Sequence, residues 1–335
     1  MSKKTSIGPS RRDILRAAGS AAGAAAIGLG PRTAQAATYP DRAIRVIVPF
    51  APGGPTDIMA RILTVHLGAA INGSLVVENK PGAGGNVGMG AAARADPDGY
   101  TLLITSSAYV VNPGLYASVP YDPFKDFEPV AELGTSPNVF LVQPSLGINS
   151  IEELVAKAKA DPSALNYASP GIGTTPHLSG ELLKIVAGIQ MTNIPYTGAG
   201  PAVTAILGGI VPVACVALPP AHQHIKSGKL KALAITGAER WFDLPEVPTM
   251  IELGYKDFIA DTFQAFLAPA KTPAAVIELL SSKSVEVLKK PEIADQLRNS
   301  GFQVLANGAD GMRKRIADEV PKWRDVVKKA GIQPI

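Results

Sequence analysis

The sequence predicts an α/β protein whose core is a doubly wound, mostly parallel sheet. Short runs rich in β-branched residues recur along the chain, each is followed by a turn rich in glycine and proline, and each turn leads into apolar residues at helical spacing. Strands that alternate with helices in this way favour parallel pairing. The 335 residues suffice for two ordinary domains of this class or one large one.

The first strand–turn–helix unit begins near residue 43. Residues 43–50 contain a β-branched run that predicts a buried strand, and the Gly/Pro turn at 52–55 ends it. Asp57 precedes a series of apolar residues at helical spacing, so it is predicted to be the N-cap of the next helix.

The same plan repeats through the rest of the chain. Further predicted strands are residues 75–77, 101–105, 165–168, 190–194, 213–216, 230–235 and 263–268. Further predicted helices are residues 86–95, 150–161, 175–187, 198–207, 221–227, 273–289, 291–299 and 309–330.

The first 36 residues have the features of an export signal. A basic segment containing Arg11 and Arg12 precedes 14 uncharged residues, at 17–30, and a small-residue cleavage motif that ends at Ala36. The uncharged stretch is too short to span a bilayer. Its weak hydrophobicity and the arginine pair favour a twin-arginine signal over an ordinary secretory leader. We therefore expect cleavage after Ala36 and a periplasmic protein without stable membrane insertion.

Charge and composition exclude several classes of protein. The whole chain carries +4 and the first 36 residues carry +5, so the remainder carries about −1 and a basic surface for nucleic acid is not expected. With 46% hydrophobic and 18% charged residues, the chain is not intrinsically disordered. Cys215 is the one cysteine, which excludes an intramolecular disulfide, and its apolar surroundings predict a buried thiol.

Two glycine-rich turns, at residues 50–57 and 169–177, are candidate anion sites. Each joins a predicted strand to a predicted helix, and ligands of open α/β sheets bind where such turns lie. The first N–H groups of a helix lack internal partners, glycine allows close backbone approach, and Ser/Thr hydroxyls add donors. Two such turns suggest a ligand with two anionic ends or one anion held between two domains. The alternative is that both are merely tight turns.

Motifs for catalysis or cofactor binding are weak. Neither turn continues as a phosphate-binding P-loop, and the glycine pattern at 88–93 falls inside a predicted helix, which indicates packing. His222 and His224 lack a further metal ligand nearby, so a solvated helix start is favoured over a metal site. No cofactor, metal or catalytic set is expected.

Long motifs recur in a fixed order along the chain between residues 39 and 249. They are residues 39–44, 48–54, 76–85, 97–103, 166–171, 194–198, 225–230 and 244–249. Together they resemble the substrate-binding proteins of tripartite tricarboxylate transporters, the family of the Bordetella uptake gene products.

The resemblance implies a two-domain periplasmic binding protein of the Venus-flytrap, type II-like class. Domain 1 would comprise residues 37–140 and 262–335, and domain 2 residues 141–261. The lobes would close on a di-, tri- or aromatic carboxylate and deliver it unchanged, as a monomer, to a two-component membrane permease. The alternatives are a ligand sensor of a periplasmic signalling system on the same fold and, less favoured, a periplasmic enzyme.

The resemblance also implies which residues hold the ligand. Backbone N–H groups and hydroxyls of the two turns would bind carboxylate oxygens, and the end of the third strand would line the cleft. The expected ligand-binding residues are Phe50, Ala51, Pro52, Gly53, Gly54, Thr56, Asp57, Thr105, Ser106, Ser107, Ser169, Gly171, Gly173, Thr174, Thr175 and His177. Two segments depart from the family pattern near the expected far wall of the pocket. Residues 209–217 are wholly apolar where an acidic residue is common, and residues 262–264 lack a common tryptophan. Both departures favour a carboxylate that is longer or more apolar than malate or aspartate.

Overall fold

The computed structural model describes residues 39–163 and 165–329, so the predicted export signal lies outside the described residues. The strands are β1 (Ile44–Val48), β2 (Leu75–Asn79), β3 (Thr101–Ser106), β4 (Phe127–Val142), β5 (Asn166–Ser169), β6 (Thr192–Pro195), β7 (Val213–Ala217), β8 (Lys231–Ile235), β9 (Asp261–Pro269) and β10 (Gln303–Asn307). The α-helices are α1 (Pro55–Ala70), α2 (Asn86–Ala93), α3 (Ala108–Leu115), α4 (Ile151–Ala160), α5 (Thr175–Ala187), α6 (Ala199–Leu207), α7 (His222–Lys226), α8 (Ala274–Leu288), α9 (Pro291–Asn299) and α10 (Ala309–Lys329). Short 3₁₀ turns occupy Ala83–Gly85 and Pro144–Leu146.

Every strand and helix predicted from the sequence is present, with bounds that differ by about one to three residues. Three further elements, α3, β4 and β10, were not predicted. The strand β4 contains Pro129, Gly134 and Pro137, which interrupt the apolar pattern that marks a strand. Its pairing with β9 accommodates them through register shifts between Pro129 and Ala131 and between Glu132 and Gly134.

The sheet is mixed and consists of two groups of strands that share β4. One group runs β2-β1-β3-β9-β4, with β10 also paired to β4, and the other runs β6-β5-β7-β4, with β8 also paired to β4. In both groups the second of the three parallel strands along the chain lies at the outer edge, followed by the first and then the third. The expected parallel pairing holds for β2-β1-β3 and for β6-β5-β7. Parallel pairing does not hold for β4 and β9. These two strands run antiparallel to each other and to their other neighbours, β7 for β4 and β3 for β9.

The strand β4 links the two groups by changing partners midway. It pairs with β9 up to Pro137 and with β7 and β8 from Asn138 onward. The first group packs a core that includes Tyr109 and Phe263, whereas the second packs separate cores, one of which contains Cys215. The prediction that Cys215 is buried is confirmed. Within the described residues, no helix is both long and apolar enough to cross a membrane.

Candidate ligand-binding site

Three helices, α1, α5 and α6, begin at one cavity of about 20 Å³. The described residues that line it are Phe50, Gly54, Pro55, Thr56, Ser106, Pro170, Thr174, Thr175, Pro176, Ala199, Ala217 and Thr262, and none of them carries a charge. A cavity of this volume holds about one water molecule. The space between the helix starts is therefore small and uncharged.

The N-terminal N–H groups of these three helices give the cavity its electrostatic character. The first intrahelical bonds are donated by Ile58 in α1, Leu178 in α5 and Ala202 in α6. N–H groups before these positions have no acceptor within their helix, and they carry the positive end of the helix dipole. Three such ends around one cavity favour an anionic group there.

The turn before α1 is held in shape by the carboxylate of Asp57. Its Oδ2 accepts a hydrogen bond from the N–H of Gly53 at 3.0 Å and from Arg61 Nε at 2.9 Å. Its Oδ1 accepts from Arg61 Nη2 and from Asn79 Nδ2, each at 2.9 Å. Asn79 also donates to the carbonyl of Phe50 at 3.0 Å, so the network fixes both ends of the turn.

The acidity of Asp57 follows from these contacts. Burial would raise its pKa, but hydrogen bonds from Arg61, the Gly53 N–H and Asn79 outweigh burial and lower the pKa below the ordinary value. Asp57 is therefore ionised at neutral pH, and both of its oxygens are already engaged.

The prediction that Asp57 is the N-cap of α1 is wrong. The N-cap is Gly54, and Asp57 is the third residue of the helix. Pro55 supplies the fixed φ of a first helical residue and needs no N–H acceptor, so the helix begins earlier than the apolar pattern indicates. From the third position, the carboxylate of Asp57 reaches back to the N–H of Gly53.

The turn before α5 depends on two glycines with positive φ, Gly171 at +127° and Gly173 at +90°. The hydroxyl of Thr174 donates to the carbonyl of Gly171 at 2.7 Å. The N–H of Gly173 donates to Nδ1 of His177 at 3.5 Å, and burial lowers the pKa of His177. His177 therefore stays neutral at physiological pH and supports the turn.

The three residues at the end of β3 that were expected to bind the ligand lie in three different surroundings. Ser106 lines the cavity. Thr105 is opposite Ala265 on the other face of the sheet, because successive side chains of a strand alternate between faces. The hydroxyl of Ser107, which follows the strand, lies 3.3 Å from that of Thr175.

A buried chain of polar side chains runs from this point to the crossing strands. Thr175 Oγ1 lies 2.6 Å from Thr262 Oγ1, and Thr262 donates to Asn138 Oδ1 at 2.9 Å. Asn138 in turn donates to Ser179 Oγ at 3.1 Å. The chain connects Ser107, beside β3, with the point where β4 changes partners.

The structure brings some of the expected residues to the cavity and leaves others beside it. The cavity is lined by Phe50, Gly54, Thr56, Ser106, Thr174 and Thr175. The described lining of this cavity does not include Ala51, Pro52, Gly53, Asp57, Thr105, Ser107, Ser169, Gly171, Gly173 or His177. Ligand contact by either set stays a prediction.

Six further residues line the cavity but are not among the expected ligand-binding residues: Pro55, Pro170, Pro176, Ala199, Ala217 and Thr262. The three prolines lie within the two predicted turns, and Ala217 and Thr262 lie in the segments 209–217 and 262–264, where the chain departs from the family pattern. A signal for Ala199 was available, because the segment at 198–201 is a Gly/Pro turn between a strand and a helix, like the two turns that were identified. Thr262 has no local signal, since only the return of the chain along β9 brings it to the cavity.

Loops of the two groups of strands touch each other around the cavity. The N–H of Ala51 donates to the carbonyl of Thr197 at 3.1 Å, and the hydroxyl of Tyr116 donates to the carbonyl of Ile172 at 3.0 Å. A second cavity of about 200 Å³ adjoins the first and shares Phe50 and Pro170 with it. The two groups of strands are thus closed upon one another at this site.

Several buried polar groups here lack partners among the described residues. They include Thr56 Oγ1, Ser169 Oγ and both polar atoms of the Gln264 amide. Buried polar groups in proteins nearly always form hydrogen bonds. A ligand or ordered water is therefore expected to supply the missing partners.

Sequence comparisons identify relatives over most of the chain. Residues 59–332 match the family model described as "Tripartite tricarboxylate transporter family receptor". BugT of Bordetella pertussis is 40% identical over 296 residues, which cover 88% of this chain and 91% of BugT.

Solved structures share the fold. The periplasmic binding protein BugD is 35% identical, with a TM-score of 0.86 over 89% of this chain and 100% of BugD. Rpa4515 of R. palustris, solved with adipate, is 31% identical, with a TM-score of 0.85 over 89% of this chain and 100% of its own. The agreement in sequence and in fold shows that this chain belongs to the tripartite tricarboxylate transporter receptor family and has the two-domain α/β fold of a periplasmic binding protein.

Proposed function

We propose that this protein captures a small carboxylate between its two groups of strands in the periplasm. The observation that carries this proposal is the convergence of the starts of α1, α5 and α6 on one uncharged cavity. A carboxylate in that position would accept hydrogen bonds from the free N–H groups of the helices and from the hydroxyl of Thr56, which is buried without a partner in the described structure. Adipate, found with Rpa4515, is a dicarboxylate and supports this ligand class.

Capture would involve closure of two lobes about the crossing strands. We assign residues 37–140 and 262–335 to one lobe and residues 141–261 to the other. The change of partners in β4 between Pro137 and Asn138 supports this division. In an open form, the contact between Ala51 and Thr197 would separate and admit the ligand.

The bound solute would be released unchanged to a two-component membrane permease by a monomeric binding protein. Asp57 and His177, the titratable side chains of the two turns, both hold their turns in shape, which favours binding over turnover. Export would use the leader, with cleavage after Ala36.

A thermal-shift screen of residues 37–335 against mono-, di- and tricarboxylates tests the ligand class. A ligand at about one hundred times its Kd stabilises the protein by about 2.7 kcal/mol, which raises the Tm by about 4 °C for a chain of this size. Sugars and cationic amines serve as negative controls. A midpoint raised only by those compounds would refute the proposal, and consumption of a bound carboxylate in a turnover assay would indicate an enzyme instead.

A pair of threonine variants tests the location of the site. Thr56→Val removes the unpartnered hydroxyl at the cavity, so it is expected to weaken carboxylate binding by about tenfold, the value of one good hydrogen bond. Thr204→Val makes the same change on the exposed face of α6, where the hydroxyl donates to Gly200 O at 3.1 Å, and should leave the Kd unchanged. Equal Kd values for the two variants would place the ligand elsewhere.

A further inference from the structure

The side chain of Gln264 on β9 has an unusual environment. It is completely buried, at 0% exposure, and neither Oε1 nor Nε2 has a hydrogen-bond partner among the described residues. An amide has strong donors and a strong acceptor, and it is costly to bury when all of them are unpaired. A group that the protein itself does not provide is therefore expected to bind there.

The strand register places Gln264 beside the cavity. It is paired with Ser106 on β3 and with Gly134 on β4. Directly paired residues project their side chains on the same face of a sheet, and so do residues two apart on one strand. Ser106 lines the cavity, and so does Thr262, two residues before Gln264. Gln264 therefore continues the face of the sheet that forms the floor of the cavity.

Gln264 has no side-chain neighbour on β4, because its partner there is Gly134. The space beside Gly134 is already filled, since an added Cβ would meet the backbone oxygen of Gln303 at 2.7 Å and Met59 Cε of α1 at 3.3 Å. Thr56 lies one helical turn before Met59, lines the cavity and has an unpartnered hydroxyl. Thr56 and Ser106 therefore present uncharged polar groups to the cavity, and Gln264 lies beside Ser106 on the same face of the sheet.

The chemistry of these polar side chains selects a particular kind of ligand group. A carboxylate only accepts hydrogen bonds, so it would leave the Oε1 acceptor of Gln264 unsatisfied. It would also bring a second charge to a cavity whose described lining has no basic side chain. A hydroxyl or a carboxamide is uncharged and both donates and accepts hydrogen bonds. It can therefore donate to Oε1 of Gln264 and accept from Nε2.

We propose that Gln264 binds a hydroxyl or carboxamide carried by the ligand, and that the protein selects carboxylates with such a group over unsubstituted ones of the same length. This inference rests on the proposed function. The ligand's carboxylate lies at the helix N-termini, and its uncharged polar group lies over β9 against Gln264.

Matched ligand pairs test the inference on the unmodified protein. Isothermal titration of residues 37–335 compares malate with succinate, lactate with propionate, and succinamate with butyrate. The substituted member of at least one pair is expected to bind about tenfold or more tightly, because a site built around a polar group discriminates against analogues that lack it. Equal affinity within every pair would overturn the inference and leave carboxylate binding intact. Failure of every carboxylate to bind would overturn the proposed function and this inference with it.

A variant pair tests the residue. Gln264→Met keeps the length of the side chain and removes its polar atoms. The two ligands of each pair should then bind this variant with about equal affinity, and the affinity for the unsubstituted acid should not change. The matched control is Gln143→Met, since Gln143 is half-buried outside the cavity and donates to Leu207 O at 3.2 Å. This control should keep the preference but lower the Tm, whereas Gln264→Met should leave the Tm of the ligand-free protein unchanged or raised. A retained preference in Gln264→Met would overturn the assignment, and the ligand pairs on the unmodified protein still decide the case if that variant does not fold.

Discussion

Replacement of Gly84 by alanine would add a methyl group against the backbone of the facing turn. Gly84 has a φ of +60°, and a Cβ built there falls well inside 3.0 Å of the carbonyl oxygen of Ile172. That oxygen also accepts the hydroxyl of Tyr116, so it moves only if the turn around it moves. Gly84 and Ile172 lie on opposite sides of the cleft in the proposed lobe assignment, and the overlap therefore exists only when the lobes are closed.

The expected loss of affinity follows from two separate costs. An alanine with positive φ costs about 1 to 2 kcal/mol, and it does so whether the lobes are open or closed. The overlap with Ile172 adds about 1 to 3 kcal/mol, a typical value for overpacking, in the closed form alone. Only the second cost lowers ligand affinity, so the Kd of Gly84→Ala should rise about 5- to 150-fold.

A second glycine separates these costs experimentally. Gly188 has a φ of +61°, and an added Cβ there meets nothing within 4 Å, so Gly188→Ala shares the backbone cost without the overlap. Both variants should lose similar stability in urea without ligand, whereas only Gly84→Ala should lose affinity for the tightest carboxylate of the thermal-shift screen. Kd values within about twofold of each other by titration calorimetry would show that binding does not require these loops to meet.

Other predictions concern charge, reactivity and the polar chain. Asp57→Asn should lower the free energy of unfolding by about 1 to 3 kcal/mol at pH 7. The folded-state pKa of Asp57 is lowered, so its contribution is present above the ordinary pKa of 3.8 and should be lost in urea titrations as the pH falls below that value and through the folded-state pKa. Burial raises the pKa of the Cys215 thiol, which should therefore react with Ellman's reagent only after unfolding; rapid reaction of the native protein would contradict this. Thr175→Val removes the hydroxyl that contacts Ser107 and Thr262, so it should weaken ligand binding by about tenfold in calorimetry. An unchanged Kd would show that this buried series of polar side chains has only a structural role.

The outer strands and their helices could be predicted because each depends on a local pattern. A β-branched run, a Gly/Pro turn and a helical spacing of apolar residues lie within about thirty residues of one another in a βαβ unit. The strand β4 depends instead on distant partners. Its Pro137 pairs with Asp261 and the adjacent Asn138 with Ala217, and no local pattern contains that change of partner.

The candidate site shows the same division. The turns at 50–57 and 169–177 were identifiable from glycine, proline and hydroxyl residues alone. Thr262 reaches the cavity, and Gln264 the same face of the sheet, only because β9 inserts between β3 and β4. The N-cap of α1 was assigned to Asp57 instead of Gly54 because the apolar spacing begins after Asp57. The preference of proline for the first helical position, which Pro55 occupies, indicates the correct start.

Affinity for an anion must arise locally in this protein. The chain beyond the leader carries about −1, and the described lining of the cavity holds no basic side chain. Each helix N-terminus stabilises an anion by about 0.3 to 2 kcal/mol, so three of them fall short of the roughly 8.2 kcal/mol of micromolar binding. Direct hydrogen bonds in a space closed to water must supply the remainder, which is why closure at Gly84 and unpartnered groups such as Thr56 matter more than surface charge. Salt screens exposed charges over about 8 Å at physiological ionic strength but acts weakly on enclosed contacts. The Kd should therefore change by less than about threefold between low and high salt, and a steep dependence would assign the attraction to surface cations instead.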